Sequence, residues 1–251
     1  MNYERIFRIV SPLVLIGLWE LVVRVHLLDA RFFPAPSSIV GDFIDFVRSG
    51  ELVSNTWTTL QRVLVGFAIG GIPGVAIGLL VGVNRIARAI LDPIVALLYP
   101  IPKIAVLPLI LLIFGIGESS KYAIVAIGVF FIMLINTAAG VRQIDPIYLD
   151  VARSFEIRRP SFYLNVLLPG AMTNVFAGIK LSIGIAIVLA VAAEFTAAKS
   201  GLGFQIWNAW QTLQVERMYV ALVMVSVLGY ALTLAGNALE NIFVPWRSSP
   251  R

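Results

Sequence analysis

Six apolar runs, each about twenty residues long, dominate the sequence. Charged or turn-forming stretches separate them. Because a helix needs about 20 mostly apolar residues to cross the hydrocarbon core of a bilayer, each run predicts one membrane-spanning helix. The predicted spans are residues 10–28, 60–83, 90–114, 122–140, 171–193 and 218–239.

Composition excludes the main soluble classes. The chain is 59% hydrophobic and only 13% charged, whereas an average soluble domain is roughly 45–50% apolar and about 25% charged. It has no cysteine and one histidine, so neither a disulfide framework nor a Cys/His metal cluster is expected. The sequence therefore predicts an all-α integral membrane protein with no metal site.

The basic residues predict the orientation of the spans. Ten of them lie in one set of loops and five in the opposite set, and the richer set faces the cytoplasm in membrane proteins. Both termini and the segment 141–170 are therefore expected in the cytoplasm. The net charge of +5 is interpreted as this topology signal, so no nucleic-acid partner is expected. The richer set is Arg5, Arg8, Arg85, Arg88, Arg142, Arg153, Arg158, Arg159, Arg247 and Arg251; the other is Arg31, Arg48, Lys121, Lys199 and Arg217.

These patterns divide the chain into four parts. Residues 1–28 hold the N-terminal tail and the first span, and residues 29–59 form an external loop. Within that loop Ile39, Val40, Phe43, Ile44 and Val47 recur at helical spacing, which predicts an amphipathic helix at the membrane interface. Residues 60–246 form a five-span core, and 247–251 a cytoplasmic tail.

The cytoplasmic segment 141–170 is too long for a simple connection between two helices. Its pattern predicts a short helix after Asp145-Pro146, with an apolar stripe at Tyr148, Val151 or Ala152, and Phe155. A second helix is expected to start at Pro160 and to end at Pro169-Gly170. The stripe either docks into a groove of another protein or packs on the chain's own span ends.

The residues of this segment carry a family resemblance. Asp150 to Glu156, followed by Pro169, resembles the E-A-A-x-x-x-G…L-P loop of the permease subunits of bacterial ATP-binding-cassette importers. Glu156 stands where that loop has glycine, so either the chain turns at residues 158–160 or Glu156 faces an altered partner groove. Further segments occur in the order seen in the nitrate, taurine and alkanesulfonate subfamily: 100–105, 107–109, 114–121, 136–137, 193–194 and 201–203.

The resemblance implies the importer-type permease fold, with six transmembrane helices and a cytoplasmic coupling helix between the fourth and fifth. It implies a homodimer in the bacterial inner membrane, with two cytoplasmic ATPase subunits, an external solute-binding protein, and a small oxyanion as solute. The ATPase-docking residues would be Tyr148, Asp150, Ala152, Arg153, Phe155, Glu156 and Arg158.

Catalysis by this chain is not expected. The sequence has no G-x-x-x-x-G-K-[ST] loop, so ATP and Mg²⁺ would bind to the partner subunits and no cofactor to this chain. The alternative function is a secondary carrier or channel that works without an ATPase. That alternative predicts an internal repeat, and no convincing repeat is found between residues 1–125 and 126–251.

The second predicted span carries a stripe of glycines spaced four residues apart. Such a stripe lets helices pack closely, within the subunit or at a dimer contact; the other interpretation is a pathway lining. Pro73 is expected to kink this span, and Pro100, Pro102 and Pro108 to break the third. The glycines are Gly66, Gly70, Gly74, Gly78 and Gly82.

Ionisable residues inside spans are candidates for the solute pathway. Lys180 either meets an anion or forms a salt bridge to another span, and Glu194 is either a gate or a structural cap. Lys103 is a further pathway candidate, and it and Glu240 are expected to snorkel to the cytoplasmic surface. Glu20 and Arg24, four residues apart, are expected to pair with each other.

Overall fold

A computed structural model describes the backbone of residues 3–245 and the side chains of residues 10–245 apart from Arg153. Every regular element in that part of the chain is helical. A 3₁₀ turn at Lys103–Val106 precedes α5, and a π-helical turn at Tyr163–Leu167 joins α8 to α9. The helices are α1 Tyr3–Arg24, α2 Pro36–Arg48, α3 Glu51–Val83, α4 Arg85–Leu98, α5 Leu107–Phe114, α6 Glu118–Arg142, α7 Pro146–Ser154, α8 Arg159–Phe162, α9 Leu168–Ala197, α10 Leu202–Gln211 and α11 Val215–Phe243.

Four helical segments of the described chain are long and apolar enough to cross a membrane. They are α3, α6, the run from α8 through α9, and α11. The second, fourth, fifth and sixth predicted spans lie within them. Helix α1 forms where the first span was expected, but its crossing of the membrane stays a prediction, as does the total of six.

The third predicted span is bent rather than straight. Helix α4 and the segment Lys103–Phe114 meet at 87°, and each arm is about 20 Å long, shorter than the roughly 30 Å hydrocarbon core. The bend lies at residues 99–102, where Pro100 and Pro102 supply no N–H. The predicted break at Pro108 is wrong, because this proline sits in the first turn of α5, where an N–H is unpaired anyway. Helix α3 is one helix with Pro73 inside it, and the kink expected there stays a prediction.

The glycine stripe of α3 lies against α6 of the same chain. A Cβ atom placed on Gly66 would lie 2.6 Å from the Cβ of Val125, and one on Gly74 would lie 2.8 Å from the Cβ of Met133. Such distances are far shorter than any van der Waals contact, so only glycine permits this approach. The same holds for Gly70, Gly78 and Gly82, which face Ala126, Thr137 and Val141.

Helix α9 completes the main core on the other side of α6. Gly128 and Gly140 of α6 pack closely against Leu189 and Asn174 of α9, respectively. The three helices α3, α6 and α9 therefore form one three-helix body, whose centre includes the fully buried Val125 and Val129.

A smaller cluster lies where α2, α3, α10 and α11 meet. Phe46 of α2 is fully buried there beside Leu52, Leu202 and Val220. Helix α2 thus occupies the position of the predicted amphipathic helix. The predicted Glu20–Arg24 pair is confirmed at 2.6 Å. Glu20 also accepts hydrogen bonds from the backbone N–H and the hydroxyl of Ser37, and so links α1 to the first turn of α2.

Helix α7 ends in a turn built on Glu156. This residue has φ +49°, in the left-handed region that glycine adopts without strain. The turn brings the N–H of Ile157 to the carbonyl of Ala152 at 3.3 Å, the pairing of a Schellman motif. The predicted turn at residues 158–160 is therefore wrong: Glu156 turns the chain, because only a left-handed residue there lets the next N–H reach a free helix carbonyl.

The second helix of the cytoplasmic segment begins as predicted but does not end at Pro169-Gly170. Helix α8 starts at Arg159, with Pro160 in its first turn, and the helical path continues without a break to Ala197. The π-helical turn at Tyr163–Leu167 shifts the hydrogen-bond pattern just before Pro169, which then falls in the first turn of α9. A proline in a first turn does not end a helix.

The substitution Gly70→Ala tests the α3–α6 contact. We expect it to lower the free energy of unfolding by about 1–3 kcal/mol, because the added Cβ overlaps the backbone of Ala126. The control is Gly184→Ala in α9, where a Cβ meets nothing within 4 Å; it should be neutral or stabilise by up to about 1 kcal/mol. Thermal unfolding in detergent measures both, and equal shifts would contradict the contact.

Replacing Glu156 tests the left-handed turn. An L-residue pays about 1–2 kcal/mol for this conformation, so Glu156→Gly should slow hydrogen exchange at the Ile157 amide by at least about fivefold. Glu156→Val should speed it, because a β-branched residue is still more strained there. Hydrogen exchange on the purified chain reads this amide directly. Faster exchange in the glycine variant would show that the turn does not form.

Candidate functional site

The outer surface of α7 is apolar and unpartnered within the described chain. Tyr148 is 65% exposed and Phe155 is 77% exposed, and Val151 lies between them, half exposed. Ala152, one helical turn from both Tyr148 and Phe155, is buried. Ala152, a member of the docking set implied by the resemblance, packs inside the chain, and its docking role stays a prediction.

The polar members of the predicted docking set whose side chains the structure describes are all exposed. Asp150, Glu156 and Arg158 are exposed, whereas the side chain of Arg153 lies outside the described residues. A groove of about 510 Å³ opens between α7 and the start of α9. Its walls include Tyr148, Val151, Asn165, Val166 and Pro169.

Lys180 forms an ion pair with Glu240. Its Nζ donates to Glu240 Oε2 at 2.6 Å, which connects α9 to α11. Glu240 is buried, so its predicted snorkelling is wrong. Of the two interpretations left open for Lys180, this geometry is that of the salt bridge between spans.

Lys103 holds the bend after α4. Its Nζ donates to the carbonyls of Leu98 and Tyr99, at 2.9 and 3.0 Å, and lies 4.6 Å from the centre of the Phe131 ring. The last carbonyls of a helix have no intrahelical partner, and here the ammonium group supplies one. Lys103 therefore folds back over the bend, and its snorkelling stays a prediction.

Glu194 belongs to a buried charge cluster with Arg62 at the opposite end of the three-helix body from α7. Arg62 Nη1 donates to Glu194 Oε1 at 2.8 Å, and Nε and Nη2 donate to the two carboxylate oxygens of Glu118, each at 2.7 Å. Lys121 Nζ lies 3.1 Å from the same Glu118 carboxylate. Arg62 is 2% exposed and Glu194 is 0% exposed, whereas the Glu118 side chain is 48% exposed, so the cluster is buried at the Arg62–Glu194 pair and reaches the surface at Glu118.

The sequence analysis missed Arg62. Arg62 lies inside the predicted span 60–83. Its charge within an apolar span was the sequence signal that could have marked it as a candidate site residue. Its partners could not be read from the sequence, because Glu118 and Glu194 are 56 and 132 positions away. Within the described residues, no three His, Asp or Glu side chains form a group that could hold a metal ion.

Comparison with known proteins places this geometry in a family. Residues 74–249 match the family described as binding-protein-dependent transport system inner membrane component. The aliphatic sulfonates transport permease protein SsuC of Bacillus subtilis is 34% identical over 95% of this chain and 86% of its own length. The nitrate import permease protein NrtB of Leptolyngbya laminosa is 31% identical, over 92% and 85%.

A solved structure shares the fold. In an inward-facing structure of the MetNI methionine ABC transporter, one chain superposes with a TM-score of 0.66, over 78% of this chain and 97% of that one, at 22% identity. The family match covers more than half of the chain, and the curated relatives are permease subunits rather than enzymes. The chain therefore belongs to the inner-membrane components of binding-protein-dependent transport systems, the permease subunits of ATP-binding-cassette importers.

Proposed function

We propose that the chain carries a small oxyanion, with alkanesulfonates as the first class to test, through an importer driven by separate ATPase subunits. The sulfonate and nitrate permeases that it resembles over more than nine tenths of its length support this class. Sulfonate and nitrate share delocalised negative charge over several oxygen atoms. The proposed assembly contains a second permease copy, two ATPase subunits and an external binding protein.

The observation that carries the proposal is the apolar outer surface of α7. A soluble loop does not normally expose Tyr148, Val151 and Phe155 together, and such a patch is typical of a protein interface. The turn at Glu156 fixes the end of the helix, so the surface is presented in one conformation and little ordering is needed on binding. We assign this surface to the ATPase subunit.

The proposed orientation follows the basic loop residues. The positive-inside bias supports a cytoplasmic α7 and an external α10. Short connections join α7 to α6 and to α8, and α8 continues into α9. A force that an ATPase applies to α7 therefore acts on the three-helix body as a whole, which favours alternating access by rigid-body rotation.

Reconstitution into proteoliposomes tests this function. The permease, its ATPase and its binding protein are reconstituted together, and uptake of radiolabelled ethanesulfonate is followed with and without ATP. We expect accumulation only with ATP and inhibition by other sulfonates. Accumulation that follows an ion gradient without ATP would support the secondary carrier instead.

The substitution Phe155→Asp tests the docking surface in the same system. We expect the ATPase to copurify at least about tenfold less well, because a charge at the centre of an apolar interface is desolvated without a partner. The control is Phe32→Asp. Phe32 is also an exposed phenylalanine, 64% exposed, but it lies at the other end of the molecule. Equal copurification of both variants with the ATPase would contradict the docking role.

The ion pair between Lys180 and Glu240 gives a separate test of the pathway prediction. We expect Lys180→Met to reduce uptake, because it leaves the Glu240 carboxylate buried without its cation. The double variant Lys180→Met/Glu240→Gln should recover most of the uptake, if the lysine serves to balance the glutamate. Continued loss in the double variant, with the assembly intact, would instead support an anion contact at Lys180.

A further inference from the structure

Two helices and a turn converge on the guanidinium of Arg62. Arg62 extends from α3 and reaches Glu118 at the start of α6 and Glu194 near the end of α9. It also donates to the backbone carbonyl of Ser200 at 2.6 Å, in the connection that leads into α10. One side chain therefore links α3 to both other helices of the three-helix body and to the segment that follows it.

The hydrogen-bonding capacity of Arg62 is used up within the chain. A guanidinium has five N–H donors, and five acceptor contacts are present: the two Glu118 oxygens, Glu194 Oε1, and the carbonyl and hydroxyl oxygens of Ser200. Two cations, Arg62 and Lys121, face two carboxylates, so the cluster has no excess positive charge. This balance favours a structural connection over an anion-binding site.

The turn at residues 200–203 is held by side chains of α3 and α9. The N–H of Gly201 donates to Asn55 Oδ1 at 2.7 Å, the N–H of Leu202 to Thr59 Oγ1 at 2.8 Å, and the N–H of Gly203 to Glu194 Oε2 at 2.7 Å. These are the orphan N–H groups at the start of α10. Side chains of the three-helix body thus cap α10 and fix where it begins.

Gly201 shows how closely the turn is docked. Its φ is +111°, and a Cβ on it would lie 2.6 Å from Arg62 Nη1 and would overlap the carboxylate of Glu194. A second contact reinforces the attachment, since Trp207 of α10 stacks on Phe195 of α9 with ring centres 5.8 Å apart. No side chain fits between the turn and the cluster.

We propose that Arg62 is a positioning residue for transport: through Glu194 and Ser200 it locks the turn 200–203, and with it α10, to the three-helix body. The lock makes α10 follow the motion that α7 receives at the other end. This inference rests on the proposed function, because it needs an ATPase that moves α7. The residue itself contacts no solute.

Arg62→Gln in the full assembly tests the lock by two readouts. Hydrogen exchange at the amides of Gly201, Leu202 and Gly203 should become at least about tenfold faster, because Glu194 loses the cation that holds it in place. The amount of ethanesulfonate taken up per ATP hydrolysed should fall by a similar factor, while the ATPase still copurifies. Protection of amides in the middle of α9 should be unchanged.

The matched control is Arg217→Gln. Arg217 also lies between two carboxylates, Asp42 at 3.7 Å and Glu51 at 3.8 Å, but these belong to α2 and α3. Arg217→Gln should therefore leave amide exchange at residues 201–203 and uptake per ATP hydrolysed at their wild-type values. Unchanged exchange at the three amides in Arg62→Gln, or equal effects of the two variants, would overturn the proposal.

A charge-balanced variant covers the case in which Arg62→Gln does not assemble. Arg62→Gln/Glu194→Gln leaves no unpaired charge at the site of Glu194, and we still expect faster exchange at the three amides. Unchanged exchange there would overturn the lock. If wild-type vesicles show no ATP-driven uptake, the proposed function fails, and the exchange measurement still decides whether Arg62 positions the turn.

Discussion

The close approach of α3 and α6 creates the three-helix body to which α7 and α10 are attached. Lipid provides no hydrophobic drive between helices, so their association relies on van der Waals contact and hydrogen bonds. The glycines of α3 bring its backbone against α6 along the whole contact, and Gly128 and Gly140 do the same between α6 and α9. The resulting three-helix body carries α7 at one end and the turn 200–203 at the other.

Local patterns allowed much of this fold to be predicted. Hydropathy located the four long apolar helices, because burial in lipid requires continuous apolar sequence. The spacing of charges predicted the Glu20–Arg24 pair, and the glycine stripe indicated close packing. The helix that the stripe faces could not be predicted, because any partner with a suitable surface would satisfy the pattern.

The errors lie where hydrogen bonds of the folded chain override residue preferences. Pro169 does not end a helix because the preceding π-helical turn changes the hydrogen-bond pattern around it. Glu156 adopts a glycine-like conformation because the end of α7 needs the N–H of Ile157. The roles of Arg62, Lys103 and Lys180 depend on acceptors that only the folded chain brings within reach. Arg62 and Lys180 pair with carboxylates, and Lys103 donates to helix carbonyls, so each cation has acceptors inside the protein.

In the proposed mechanism α7, the three-helix body and α10 move as one unit during transport. The chain has no cysteine, so spin labels can be attached to cysteines introduced at two exposed positions, Leu164 beside α7 and Gln211 in α10. The distance between them, measured in assemblies diluted with unlabelled permease, should be the same without nucleotide and with ATP trapped. A change as large as one helical turn, about 5.4 Å, would contradict the account.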